Sequence, residues 1–196
     1  MSAIATSPLD SLVTHMQESA LLSTTNNLLD WDQETTMPSG GLEWRARQQA
    51  LVARMVHERN SSRERGDLIA AVESDRAAMS DPETAALVRE ARRDYGKATK
   101  LPASLVEEMA RVSSMAKHEW AEARAASDFK RFAPWLAKLV ALLRKQADCY
   151  GYAAGGEPWD ALADLYEPGC TAAYVAGVFD PLRPRLQKLV AELAAS

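Results

Sequence analysis

From the first residues onward, apolar side chains return at steps of three and four. Leu9, Leu12, Val13, Met16 and Ala20 share one helical face, and Leu28 and Trp31 prolong the stripe. Ser7-Pro8-Leu9-Asp10 supplies a start for this helix. A serine oxygen caps free N–H groups, proline suits the first helical position, and an acid suits the positive end of the helix dipole. Met37-Pro38-Ser39-Gly40-Gly41 breaks the pattern, and Gln48, Leu51, Val52, Met55 and Val56 resume it in a second helix. Ser61-Ser62-Arg63-Glu64 resembles a capping box and opens a segment running to about Ala78. Asp81-Pro82-Glu83 begins the next helix, with Ala85, Leu87, Val88 and Ala91 inside it. Leu101-Pro102 interrupts again. Leu105, Met109, Val112, Ala116 and Trp120 then carry a long helix to near Ala126, with Glu107 four residues before Arg111.

The clearest amphipathic stripe is Phe132, Leu136, Leu139, Leu143, Ala147 and Tyr150, which predicts a helix with this face in the core. Pro134 suits a first turn, which assigns Asp128-Phe129 to the preceding turn. Gly155-Gly156-Glu157-Pro158 sets off a segment from Trp159 to Tyr166, and Glu167-Pro168-Gly169 makes a further turn. The last segment carries Tyr174, Val178, Phe179, Leu182, Leu186, Leu189 and Leu193, and Pro181 and Pro184 predict a kink or fresh start near Asp180. No strand-length alternation and no fixed repeat interrupts this series. The expected architecture is all-α, an antiparallel array of about six to eight helices forming a single domain over residues 1–196.

Composition narrows the function classes. With 27 acids against 23 bases, a net charge of -4 and both signs spread along the chain, no global field draws the protein to nucleic acid or anionic lipid. The most apolar stretch, Ala133 to Leu143, contains Lys138 and is too short to span a bilayer. Two cysteines, Cys149 and Cys170, have neither a metal-ligand spacing nor a disulfide framework around them, the usage of a reducing compartment. The N-terminus lacks the basic and apolar regions of a signal peptide. A cytoplasmic protein without nucleic-acid or membrane partners is expected.

The motifs for chemistry are sparse. A helical zinc hydrolase needs two histidines at i and i+4, so that both rings face one metal, with a glutamate beside the first as base. The three histidines are His15, His57 and His118. His57-Glu58-Arg59-Asn60-Ser61 has serine where the second ligand should stand, and His118-Glu119-Trp120-Ala121-Glu122 has glutamate. His118 with Glu122 is a metal candidate, against the reading of a solvated helical pair. No Gly-rich phosphate cradle and no GxSxG elbow is present. Arg45, Arg47, Arg54, Arg59, Arg63 and Arg65 concentrate positive charge on and after the second helix, but Glu43, Glu58 and Glu64 interleave with them, which reads as a salt-bridged face rather than an RNA patch.

Trp31-Asp32-Gln33-Glu34 remains. Two carboxylates two apart on a helix point about 200° from each other and cannot share one substrate. Structurally, Trp31 is expected to bury, while Asp32, Gln33 and Glu34 hydrogen-bond around the break and receive the arginines of the second helix.

The whole stretch LLDWDQETTMPSGGLEWRARQQALVARMVHE resembles the beginning of the carboxypeptidase Taq family of zinc metallocarboxypeptidases. Glu119-Trp120-Ala121-Glu122-Ala123-Arg124, Asp128-Phe129 with Phe132 and Pro134, and Trp159-Asp160-Ala161-Leu162 leading to Tyr166-Glu167-Pro168-Gly169 follow in the family's order. The resemblance implies a much longer, helical enzyme, commonly homodimeric, that removes C-terminal residues from peptides with zinc held by an HExxH helix and a later glutamate. It covers the family's N-terminal, non-catalytic half, and that HExxH has no counterpart here. Zinc therefore belongs to full-length members, no cofactor and no catalytic residue is assigned to this chain, and Trp31, Asp32, Gln33 and Glu34 become candidate groove-lining residues. The implied partners are the missing catalytic half or a second copy of the chain, and peptide is a substrate only of the full-length family. The expectation is a truncated carboxypeptidase homologue inactive alone; the alternative is a stand-alone helical interaction or dimerisation module.

Overall fold

The computed structural model describes residues 7–195. These form α1 (Pro8–Thr35), α2 (Leu42–Asn60), α3 (Arg63–Ser74), α4 (Pro82–Ala98), α5 (Ala103–Ala125), α6 (Phe129–Tyr150), α7 (Pro158–Ala163) and α8 (Ala172–Ala194), with short 3-10 turns at Ser39–Gly41 and Ala78–Ser80 and no strand. The all-helical expectation holds. Contacts separate the chain into two compact units, Met1–Leu142 and Leu143–Ser196.

Local chemistry sets the helix starts. Ser7 Oγ accepts the Asp10 N–H at 3.1 Å, and an Asp81 carboxylate oxygen accepts the Thr84 N–H at 2.9 Å, so each satisfies a donor the first turn leaves free. The capping-box reading is off by one residue. Ser62, not Ser61, accepts the Arg65 N–H at 3.2 Å, so Arg65 stands where the box needs Glu64, and α3 ends at Ser74 rather than near Ala78. The sixth helix also starts earlier than Pro134 suggests. Asp128 Oδ1 accepts the Arg131 N–H at 3.3 Å, and Ser127, at φ 53°, takes the left-handed step that turns the chain out of α5. Pro134 consequently lies inside α6.

In the first unit, α1, α3 and α4 contribute Leu12, Ile69, Val72, Val88 and Ala91 to one core, with Leu9, Met16, Leu68 and Tyr95 packed on it. Gly66 permits the close approach of α3 to α4, because a Cβ there would meet Tyr95 Oη at 2.6 Å. Arg92 spans the same pair of helices, its Nε 2.9 Å from Glu73 Oε1. Beside this core, α2 packs chiefly along α5. The α2 seam is Ala46, Gln49, Ala50 and His57, while Leu51 and Met55 of the expected stripe are exposed. Small side chains let the two axes approach, so the face that packs is not the most apolar one.

In α1 the expected stripe holds at its start, where Leu12 is buried and Leu9, Val13 and Met16 are half-buried, and drifts toward the other end. Beside these, a line of covered positions runs Leu12, His15, Ser19, Leu22, Asn26, Leu29 and Gln33, in alternating steps of three and four. Leu28 and Trp31, 68% and 63% exposed, lie off this seam. The amphipathic stripe of α6 is likewise not a core face: Leu136 and Leu143 are exposed, Phe132, Leu139 and Tyr150 half-buried, and of the stripe Ala147 alone is fully covered.

In the second unit, the Asp160 carboxylate accepts the Glu157 N–H at 3.0 Å and the Ala172 N–H at 2.7 Å, so one side chain fixes the starts of both α7 and α8. Those backbone bonds hold its carboxyl below the ordinary range. Near Asp180, where a kink or fresh start is expected, no fresh start occurs, and α8 runs as one helix through Pro181 and Pro184. Each proline costs the helix a hydrogen bond, but α8 buries none of its side chains, so solvent can take up the freed carbonyls. No helix among the described residues is long and apolar enough to cross a membrane.

Two leucines of α1 test this packing. Leu12→Ala should cost about 2–5 kcal/mol of unfolding free energy in urea titration, whereas Leu21→Ala, at a 70% exposed position, should stay within about 0.5 kcal/mol of the parent.

Candidate functional site

Trp31, Asp32, Gln33 and Glu34 occupy the last turn of α1. Consecutive side chains step about 100° around a helix, so the four cannot share one face. Asp32 turns to α2, where Arg45 forms a short ion pair with it and also donates to the Leu29 carbonyl; Thr36 Oγ1 donates to the same carboxylate. Gln33 turns to α5. Its Nε2 donates to the Ser114 carbonyl at 3.2 Å and its Oε1 accepts the Ser114 hydroxyl at 2.7 Å. Glu34 also turns to α5, 3.0 Å from Lys117 Nζ, which Asp30 meets at 3.2 Å. Asp32 and Glu34 thus serve opposite neighbours, as their spacing requires. Trp31 is the correction: it is exposed, as is Trp44 across the break.

Where α1, α2 and α5 converge lies a polar pocket of about 330 Å³, lined by Asn26, Asn27, Asp30, Gln49, Ser113 and Lys117 among others. Burial works against the Lys117 ammonium, but hydrogen bonds to Glu34 and Asp30 and the charge of both outweigh it, and its pKa is raised. The Asn26 Oδ1 and Gln49 Oε1 oxygens are buried without a donor. The arrangement can hold a small polar group. It offers no nucleophile with an adjacent base, and reading the sequence for apolar periodicity missed Asn26, Ser114 and Lys117. The signal that could have found Asn26 is its place on the three-and-four seam of α1.

The arginines of the second and third helices are drawn into pairs, as expected of a salt-bridged face. Arg45 meets Asp32, Arg47 meets Glu43 at 2.6 Å, Arg59 meets Glu18, and Arg63 stands 3.5 Å from Asp67. Arg54 reaches Glu58 at 3.8 Å and Glu107 at 3.7 Å, so Glu107 bridges to α2. Arg65 is the exception, a buried guanidinium whose Nη1 donates to the amide oxygen of Asn60.

A zinc ion of the hydrolytic type does not fit the histidines present. His15 is buried on α1 with both ring nitrogens unpartnered, and burial, then the charges of Arg59 and Arg65, push its pKa down against the pull of Glu64 and Glu18. His57 is buried on α2, and the fourth residue after it, Ser61, spends its hydroxyl on the His57 carbonyl at 2.8 Å. Glu122, the partner expected of His118, stands 3.5 Å from Arg131, which also holds Glu119 at 2.7 Å. Among the described residues no group of three His, Cys, Asp or Glu side chains is disposed to hold a metal ion.

The Thr36 hydroxyl and the Arg45 guanidinium hold the Asp32 carboxyl below the ordinary carboxylate range, against a small cost of desolvation. A depressed folded-state pKa stabilises the fold above the unfolded value of about 4, and that contribution is lost as pH falls through the folded value. Replacing Arg45 by Met should raise the Asp32 pKa toward the unfolded value, read from its side-chain carboxyl resonance in an NMR titration. An unmoved resonance would show that the ion pair is not formed in solution.

A family model for carboxypeptidase Taq (M32) metallopeptidases matches residues 11–196. Thermostable carboxypeptidase 1 of Thermus thermophilus is 34% identical over 194 residues, covering 94% of this chain and 38% of its own length. The crystal structure of BsuCP superposes with a TM-score of 0.89 at 27% identity, over 96% of this chain and 37% of that one. The M32 carboxypeptidase from Deinococcus radiodurans superposes at 0.74 with 36% identity, again over 96% and 37%. The chain therefore spans little more than a third of the length of these relatives. Similarity in sequence over nearly the whole chain, on the same helical scaffold, makes it a member of the M32 carboxypeptidase Taq family.

Proposed function

We propose that these residues form the N-terminal helical part of an M32 metallocarboxypeptidase and carry no hydrolytic centre of their own. The observation behind this reading is the disposition of the histidines: one each on α1, α2 and α5, two buried and none followed at i+4 by a second. Zinc-assisted hydrolysis needs a metal held in an open coordination shell, to polarise the carbonyl and lower the pKa of the attacking water, and no set of side chains described above supplies that shell. The carboxypeptidase activity for which the relatives are named is assigned to residues other than these. On this reading the last turn of α1 belongs to a groove wall. Trp31 offers its exposed face to peptide, and Asp32, Gln33 and Glu34 fix the wall helix against α2 and α5. Two free thiols, Cys149 and Cys170, support a reducing, cytoplasmic setting.

The test is direct. The purified chain with one equivalent of zinc should release C-terminal residues from an N-blocked peptide at the rate of the protein-free blank. Chelator-sensitive release above that blank would place a competent metal site within these 196 residues and overturn the proposal.

A second reading, association, is favoured by α8. Phe179, Leu186, Leu189, Val190 and Leu193 are 48–66% exposed along this helix, an apolar surface of the kind that marks interaction sites. Light scattering should show a concentration-dependent shift from monomer toward dimer that Leu186→Glu with Leu189→Glu abolishes, while circular dichroism stays unchanged. A monomer across the whole concentration range argues against this second reading.

A further inference from the structure

Arg65 stands out among the charged side chains. It is 6% exposed, on the first turn of α3, and its neighbours on α2 and α3 have carboxylates where it has none. Nη1 donates to Asn60 Oδ1, a neutral acceptor, and Nε is buried without a partner. Burial lowers the pKa of the guanidinium, and the charge of Asp94 on α4, which lines the same pocket, works the other way. Leaving a buried charge uncompensated is among the costlier arrangements a fold can adopt, because neither water nor a counter-charge replaces the lost hydration.

The guanidinium does not sit in solid protein. It lines a pocket of about 340 Å³ between α1, α2, α3 and α4, together with the hydroxyl-bearing Ser19 and Ser23, the amide of Asn60, and Asp94. Ser19 Oγ donates to the His15 carbonyl at 2.9 Å and accepts from Arg59 Nε at 3.1 Å. Arg59 is itself paired with Glu18, so the cation of this pocket that lacks an ion pair is Arg65, with the Asp94 carboxylate also on the lining. The walls include Met16, Val56 and Ala98, which keep the surroundings apolar and strengthen any charge-assisted bond formed inside. About 300 Å³ is the lower end of small-ligand sites, which suits a compact group rather than a chain.

We infer that this pocket binds a small oxyanion, one of whose oxygens takes the unsatisfied Nε–H of Arg65, with Asn60 and Ser23 completing the shell. Asp94 opposes such a ligand and moderates its affinity. The site shares no lining residue with the α1–α2–α5 pocket. It does not depend on the function proposed above.

Thermal unfolding followed with inorganic phosphate, and in a second arm with acetate, each against sodium chloride at matched ionic strength, tests the inference. At a hundredfold excess over the dissociation constant, a ligand of the folded state should raise the melting temperature by about 5–10 °C in a chain of this size. A saturable rise in either arm beyond the chloride control, lost in Arg65→Gln, supports the site and identifies the tetrahedral or the planar anion as its ligand. Asp94→Asn, an exposed position that leaves the fold intact, should tighten binding about two- to fivefold, and this variant carries the test if Arg65→Gln does not fold. No saturable rise in either arm, a rise that survives in Arg65→Gln, or an affinity unchanged in Asp94→Asn would each overturn the inference.

Discussion

The first unit depends on a seam along α1 that is half polar. Leu12, Leu22 and Leu29 alternate on it with His15, Ser19, Asn26 and Gln33, and each buried polar group must find a partner or leave its desolvation unrecovered. The reciprocal bonds between Gln33 and Ser114 meet that requirement at one end, where an apolar side chain of similar size would tolerate several rotations and translations of α5. Directional bonds tolerate fewer. Arg45, joining Asp32 to the Leu29 carbonyl, does the same for α2, so the three helices share a register set by hydrogen bonds as much as by volume.

This constraint explains which parts of the fold were legible in the sequence. Helix existence and most starts were legible, because Ser7 and Asp81 act on N–H groups two or three residues away and no distant packing intervenes. Packing faces were less so. Ala46, Gln49, Ala50 and His57 make a seam on α2 through smallness and hydrogen-bonding capacity, and a search for large apolar residues settled instead on Leu51 and Met55, which solvent reaches. The strongest apolar periodicity, on α6, met the opposite outcome: an amphipathic helix states that a face wants cover, not that these residues supply it.

The candidate site shows the same division. The spacing of Asp32 and Glu34 excluded a shared substrate, and the structure sends them to Arg45 and Lys117 on different helices. The partners of Gln33 and Glu34 on α5 were not legible, because an i,i+4 rule reaches only along one helix while Ser114 and Lys117 stand more than eighty residues away. For the same reason the i,i+4 match of Glu107 to Arg111 was visible in the sequence while its bridge to Arg54 on α2 was not.

Charge pairing also shapes what chemistry these helices can perform. Carboxylates that general acid–base or metal chemistry would need free are largely committed: Glu18 to Arg59, Asp32 to Arg45, Glu73 to Arg92, Glu119 to Arg131. A paired carboxylate has a lowered pKa and is a poorer base at neutral pH, as the depressed values of Asp32, Glu73 and Glu119 illustrate. Ion pairs of this kind are individually weak at a surface, and where they join two helices, as Arg59 to Glu18 and Arg92 to Glu73 do, they favour one mutual orientation. Helices joined in this way hold one another in place through charges that are no longer free to act as bases.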